Sequence, residues 1–293
     1  MLNTIARELY EMMPTHFLYH YTGYEGLLGI VHSDEIWATD IHYFNDSSEL
    51  RHAVDLFRAE LRKFPQGAQY PANLLEQLDA WLHQRLADGH MLFVACFSEA
   101  GNLLSQWRGY TPHGNGVSLG FEPAYLQACA TAQDFRLGMC IYERSAQLSV
   151  AARVVEDLLA HARSIGPSDQ HQAHPSQSYY PAFSQQEVDL LGISALLKNA
   201  AFSAEVEWRA VSSVAPNYVA SPALYRAGKA TLIPYKPFKL RSADHAHMQL
   251  AHVYLGPTAE NNLAMSALST FLTGNHVSPK HGVCASMLPY RET

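Results

Sequence analysis

The sequence predicts a single α+β domain, built from short strands separated by helices of uneven length, with a helical segment inserted at 145–200. Three observations point that way. Residues 91–98, Met-Leu-Phe-Val-Ala-Cys-Phe-Ser, form a continuous apolar run, as expected of a central strand covered on both faces. Runs rich in aromatic and β-branched residues recur at 17–21, 36–39, 117–121 and 135–143, interleaved with helical periodicity. Their spacing is irregular and there is no internal repeat, so a regular alternating βαβ wheel is not expected.

The elements follow in order. An amphipathic helix at about 4–13 precedes the strand at 17–21, which Thr22-Gly23 ends. Thr22 reads as the N-cap of a helix whose apolar face is Leu27, Leu28, Ile30 and Val31. Asn45-Asp46-Ser47-Ser48-Glu49 has capping-box spacing and opens a helix to about Lys63. Residues 65–71 are a loop, 72–87 a helix, 102–110 one or two helical turns, and 123–129 a helix opened by Pro123. The insertion reads as two helices separated by a Ser-, Gln-, His- and Pro-rich stretch at 166–181, expected to be a flexible loop. Strands then return at 205–212, 232–240 and 250–255, followed by a helix at 260–272 and a terminal strand at 283–288.

Composition narrows the function classes. With 293 residues, 48% hydrophobic and 11% aromatic, the chain can bury a large core. A formal charge of −7 argues against broad sequence-independent nucleic-acid binding but leaves room for a local basic groove. Cys96, Cys129, Cys140 and Cys284 lack metal or disulfide spacing, and the sixteen histidines are scattered, so no metal is expected. The first residues lack an apolar signal core and no apolar run approaches ~20 residues, so no membrane partner is expected and a cytoplasmic location is.

The strongest chemical signal is Ala204-Glu205-Val206-Glu207-Trp208-Arg209. In a strand, Glu205 and Glu207 would share one face, with Val206 and Trp208 on the other. Such a pair is either a solvated edge face balanced by Arg209 or a cross-strand cation, or a site that meets a developing positive charge. His20, Tyr21 and Thr22 lie where a strand meets a helix start, a place that favours anionic ligands, although spacing alone equally allows a half-buried His20 satisfied by a backbone carbonyl. Ser98 ends the apolar strand, and Trp107, Arg108 and Tyr110 could line a pocket for a base or phosphate or simply anchor a helix. Asn45, Asp46 and Glu49 could coordinate or position a substrate but are first explained by capping, and Gly114-Asn115-Gly116 is a weak phosphate cradle.

An ordered set of motifs resembles the bacterial domain-of-unknown-function family 2971: Phe17-Leu18-Tyr19-His20-Tyr21-Thr22, Leu27-Leu28-x-Ile30, Trp37, Asn45-Asp46-x-x-Glu49, Cys96-Phe97-Ser98-Glu99, Trp107-x-x-Tyr110, Gly116-Val117, Glu205-x-Glu207-Trp208-Arg209 and Gly256-Pro257. That family in turn resembles the ADP-ribosyltransferases, whose first strand carries Arg or His, a middle strand Ser or Tyr, and a later strand a catalytic Glu. The resemblance implies a largely antiparallel, split-sheet core, with His20, Ser98 and Glu207 in those roles and Glu205 upstream in a Glu-x-Glu. It implies NAD as substrate, cleaved at the nicotinamide–ribose bond, with an unknown protein or nucleic acid as acceptor, in a toxin or defence protein. Glu207 would accept from the ribose 2′-hydroxyl as an oxocarbenium forms, and Ser98 would orient it. His20 would hold the adenosine-side ribose, Tyr21 or another aromatic would stack on nicotinamide, and Glu205 would steer or deprotonate the acceptor. Thr22, Trp107 and Arg108 complete the implied binding set. His-Tyr-Thr before a helix also resembles the DNA-modifying and RNA-phosphate-removing branches. A hydrolase using water as acceptor, and a non-catalytic nucleotide- or partner-binding module, use the same residues.

Overall fold

A computed structural model describes residues 2–44, 49–67, 69–88, 91–111, 115–168, 175–213, 223–228, 230–241, 247–258 and 260–288. The capping-box residues Asn45 to Ser48 and Gly114 of the glycine turn lie outside them. The strands are β1 (Leu18–Thr22), β2 (Glu35–Asp40), β3 (Phe93–Ser98), β4 (Val117–Phe121), β5 (Phe135–Met139), β6 (Glu207–Ser212), β7 (Leu224–Ala227), β8 (Leu232–Lys239), β9 (His252–Leu255) and β10 (Val283–Ala285). They form one open sheet in the order β10-β9-β4-β1-β3-β2-β8-β7, with β6 also on β3 and β5 on β6. All pairings are antiparallel except β9 with β10. The mixed α+β class and the central place of β3 agree with the sequence reading.

The feature that positions the site is a splay in this sheet. β3 runs alongside β6 for five register pairs, from Val94↔Val211 to Ser98↔Glu207. On its other edge it meets β2 only at Thr39↔Val94 and Asp40↔Phe93, and β1 only at Tyr19↔Ser98. Residues 95–97 are thus paired on one side alone, and β1 and β2 diverge around them. An unpaired backbone carbonyl in such a gap needs a partner. His20 supplies one, donating Nδ1–H to the Cys96 carbonyl at 3.0 Å.

Two apolar layers flank the sheet. One is packed by α1 (Leu2–Tyr10), α3 (Glu49–Leu61), α4 (Ala72–Asp88), α7 (Arg144–Ile165), α8 (Tyr180–Ser184) and α9 (Glu187–Ser194). In α7 the buried stripe Val150, Val154, Leu158 and Ala162 repeats every four residues, the Glu143 side chain caps Ala146 N–H at 2.7 Å, and Gly166 stops the helix at φ 79°. The other layer holds α2 (Tyr24–Ser33), α6 (Pro123–Ala132) and α10 (Asn261–Gly274), against Phe97, Leu119, Trp208 and Val253. The remaining helix, α5 (Leu104–Tyr110), packs on β1. Among the described residues no helix is long and apolar enough to cross a membrane.

Several boundaries differ from expectation, each for a local reason. Thr22 is not an N-cap: it stays in β1, opposite Val117, and Gly23 precedes α2 without a side-chain cap. Among the described residues the insertion holds three α-helices rather than two, since Pro181, within the first two positions of α8, opens a new helix after the turn Pro175–Gln177. Of the expected loop, residues 169–174 lie outside the described residues, and the turn Pro175–Gln177 packs on α4, where Gln77 accepts from Tyr179 N–H at 2.8 Å. β5 stops at Met139 because Ile141 bridges to Leu197 instead. β10 stops at Ala285, and β7 is a short strand that its sequence did not announce.

Candidate functional site

Glu205 and Glu207 do come together, but not as neighbours on one strand. Asn199 caps a 3-10 helix, Ala200–Glu205, through Ala201 N–H at 2.9 Å. Val206 then takes φ 42°, ψ 55°, a left-handed conformation that costs a β-branched residue on the order of 1–3 kcal/mol. Glu205 is therefore outside the strand, and β6 begins at Glu207. What joins the two acids is Lys198, whose Nζ donates to Glu205 Oε2 and to Glu207 Oε2, both at 2.5 Å.

Arg209 completes the cluster. Its Nε and Nη2 donate to the two oxygens of Glu207 at 3.1 and 3.2 Å, Nη1 donates to the Ala195 carbonyl at 2.7 Å, and Nη2 lies 2.6 Å from Glu49 Oε2. Arg209 is 1% exposed and Glu207 4%. Three carboxylates against two cations leave a formal excess of one negative charge. Burial pushes the Glu207 carboxyl up, but Arg209 and then Lys198 outweigh it and hold it at about 2. Burial, reinforced by Glu207, raises the Glu49 carboxyl against the pull of Arg209. Burial, with Arg209 adding to it, would lower the Lys198 ammonium, and Glu207 and Glu205 together more than reverse that. Cys96 and Cys140 flank the cluster, and burial, with Glu207 adding to it, keeps both thiols protonated, so neither is a thiolate nucleophile at neutral pH.

The acid limb of stability tests this arrangement. A carboxyl held at about 2 in the fold and 4.5 as its ordinary value stabilises the fold above about pH 4.5 and loses that contribution as pH falls toward 2. The difference in unfolding free energy between the wild type and Glu207→Gln, from urea titrations, is expected to shrink across that window.

Two cavities open in this splay, where β1 and β2 diverge along β3. The smaller, about 60 Å³, is lined by His20, Tyr21, Ser98, Gln106, Glu205 and Glu207 among others. The larger, about 640 Å³, shares His20, Cys96, Tyr110 and Glu207 with it and extends past Thr22, Glu49, Lys198 and Arg209 to Trp37 and Arg226. His20, Ser98, Glu205 and Glu207, distant in sequence, thus meet at one opening.

Several roles implied for individual residues change. Ser98 does not bond the Glu207 carboxylate, although the two are register partners: its hydroxyl donates to the Glu205 carbonyl at 2.5 Å and accepts from Ala100 N–H at 3.0 Å, steadying the chain before Val206. Burial lowers the His20 pKa, against the opposing effect of its bond to Cys96, so the ring is neutral. Because a carbonyl can only accept, Nδ1 carries the proton and Nε2 is left as an acceptor for a ligand hydroxyl rather than a donor. The Tyr21 ring packs edge-on against Trp107 with centroids 4.7 Å apart, and its hydroxyl accepts from Leu103 N–H at 2.9 Å and donates to the Ala100 carbonyl. It walls the smaller cavity, but that packing limits its stacking on a ligand. Trp107 is fully buried and donates to Asn102 Oδ1 at 2.9 Å, an anchor rather than a platform. Arg108 is exposed and lines neither cavity.

Sequence reasoning passed over Lys198 and explained Glu49 first by capping, with substrate positioning as the alternative. Lys198 ends the buried run Ala195-Leu196-Leu197, and a lysine closing such a run is a signal for a buried ion pair. Its backbone is held by Gln147, whose Nε2 donates to the carbonyls of Lys198 and Ile141, both at 2.7 Å. Among the described residues no group of three or more His, Cys, Asp or Glu is arranged to hold a metal ion.

Fold and site together define a mixed α+β protein with a largely antiparallel open sheet and a buried ion cluster facing a cleft. Over residues 106–210 the chain matches the model of a family described as a protein of unknown function (DUF2971). The matched span carries Trp107, Arg108, Lys198, Glu205, Glu207 and Arg209, while His20 and Ser98 lie before it. Comparison with curated proteins and with solved structures found no match.

Proposed function

We propose that the cleft between β1 and β3 binds NAD and that Glu207 assists cleavage of its nicotinamide–ribose bond, in the manner of an ADP-ribosyltransferase. The observation that carries this reading is the meeting of His20, Ser98 and Glu207 at one opening where the sheet splays. The splay itself supports the likeness to the split-sheet transferase fold.

The bond electrons leave with the nicotinamide nitrogen, which becomes neutral, and the ribose carbon takes on oxocarbenium character. A carboxylate that stays ionised throughout the physiological range and is fixed in place suits an electrostatic stabiliser, which must not reorganise as charge develops. Glu207 meets both conditions: its cations keep it charged, and Tyr142 OH accepts from its backbone N–H at 3.0 Å. Neutral His20 offers Nε2 to a ribose hydroxyl. The acceptor, a macromolecule or water, then bonds to the ribose carbon, and its proton passes to Glu205, held beside Glu207 by Lys198. A bacterial toxin or defence protein acting in the cytoplasm fits this chemistry.

One observation favours a second reading, a nucleotide-binding module without catalysis. Glu207 already satisfies two cations, so less of its field reaches a substrate. Incubating purified protein with NAD and following nicotinamide by chromatography separates the readings. Release supports the enzyme, and incorporation of labelled ADP-ribose into cell extract distinguishes transfer from hydrolysis. Saturable NAD binding without release supports the module, and no binding at millimolar NAD overturns both.

A further inference from the structure

The larger cleft runs beyond the ion cluster, across β2 toward β7, and the chemistry proposed for Glu207 leaves that outer half unused. Trp37 and Thr39 lie there on one face of β2, two residues and about 6.6 Å apart along the strand. The Trp37 indole stacks on Tyr235, with centroids 4.6 Å apart and planes inclined by 28°, yet is 49% exposed. Tyr235 covers one face of the ring, and the half-exposed residue lines the cleft. Arg226 reaches from β7 over β8, donating Nη2–H to Thr39 Oγ1 at 3.2 Å.

The charges of the cleft single out Arg226. Lys198 and Arg209 are matched by Glu49, Glu205 and Glu207, whereas among the described residues Arg226 has no carboxylate in ion-pair contact. Its Nε is buried and, among the described residues, has no hydrogen-bond partner. A buried guanidinium N–H without an acceptor is costly, and a phosphate oxygen matches its geometry. An open indole face beside an unmatched guanidinium suits a ligand with an aromatic base and an anionic phosphate.

We infer that Trp37, Thr39 and Arg226 form a nucleoside diphosphate subsite, in which the base stacks on the open face of Trp37 and a phosphate oxygen accepts from Arg226. Resting on the reading of Glu207 above, this subsite takes the adenosine diphosphate half of NAD and directs the nicotinamide ribose inward. It replaces Trp107 and Arg108 as base platform and phosphate contact.

The test is calorimetric titration of ADP, which has no nicotinamide bond to break, into the full chain and into Trp37→Ala and Arg226→Gln. Wild type binds ADP, and each substitution weakens binding by about tenfold with the melting temperature of the exposed-site variant Trp37→Ala little changed. Failure of the wild type to bind ADP, or equal affinity in all three proteins, overturns the subsite. If ADP binding follows the expected pattern but nicotinamide is never released, the subsite stands and the catalytic reading of Glu207 falls. If nicotinamide is released while ADP affinity ignores both substitutions, Glu207 stands and the subsite is overturned.

Discussion

Glu207→Gln is expected to slow nicotinamide release from NAD by about 10²–10³-fold, the usual loss when one electrostatic stabiliser of a transition state is removed. NAD affinity should change little, because the substitution keeps the shape of the side chain and the outer cleft is untouched. Steady-state kinetics would therefore show the loss in kcat rather than KM. The fold should tolerate this change for a reason visible in the cluster. With Glu207 neutral, Glu49 and Glu205 remain to face Lys198 and Arg209, two charges against two.

Arg209→Met is expected to be the more damaging substitution for stability. It leaves Glu49, Glu205 and Glu207 against Lys198 alone, in a site where Arg209 itself is 1% exposed. It also leaves the Ala195 carbonyl without its donor. Removing one partner from a buried ionic network costs about 3–5 kcal/mol, which would lower the melting temperature by on the order of 10 °C. Calorimetric scans of both variants decide the point: Arg209→Met must melt well below Glu207→Gln. Equal melting temperatures would mean that the charge balance of the cluster does not control the stability of this region.

How far these conclusions could be read from the chain depends on the range of the interaction involved. β3 and β4 were legible because their apolar or aromatic runs are local, and α7 because its stripe repeats every four residues. His20, Ser98 and Glu207 were reached through ordered motifs, and the sheet brings them together because Tyr19↔Ser98 and Ser98↔Glu207 share one register line. The joining of Glu205 to Glu207 was expected from strand alternation, yet it arises through Lys198, seven positions before Glu205 and nine before Glu207. No periodicity marks such a link. Trp107 and Trp37 show the same limit from the other side. Both are tryptophans within short elements, Trp37 in β2 and Trp107 in α5, and only tertiary packing makes one a buried anchor and the other an open platform. Likewise, Arg226 gains its place only by crossing β8 to Thr39, a contact between residues 187 positions apart.

The most direct test of the central claim is single-turnover release of nicotinamide from saturating NAD, measured in parallel for the wild type and Glu207→Gln after both are shown to bind NAD. Stoichiometric release by the wild type and almost none by the variant at equal occupancy are expected. Equal release by both proteins, or none by a wild type with its cleft occupied, would contradict it.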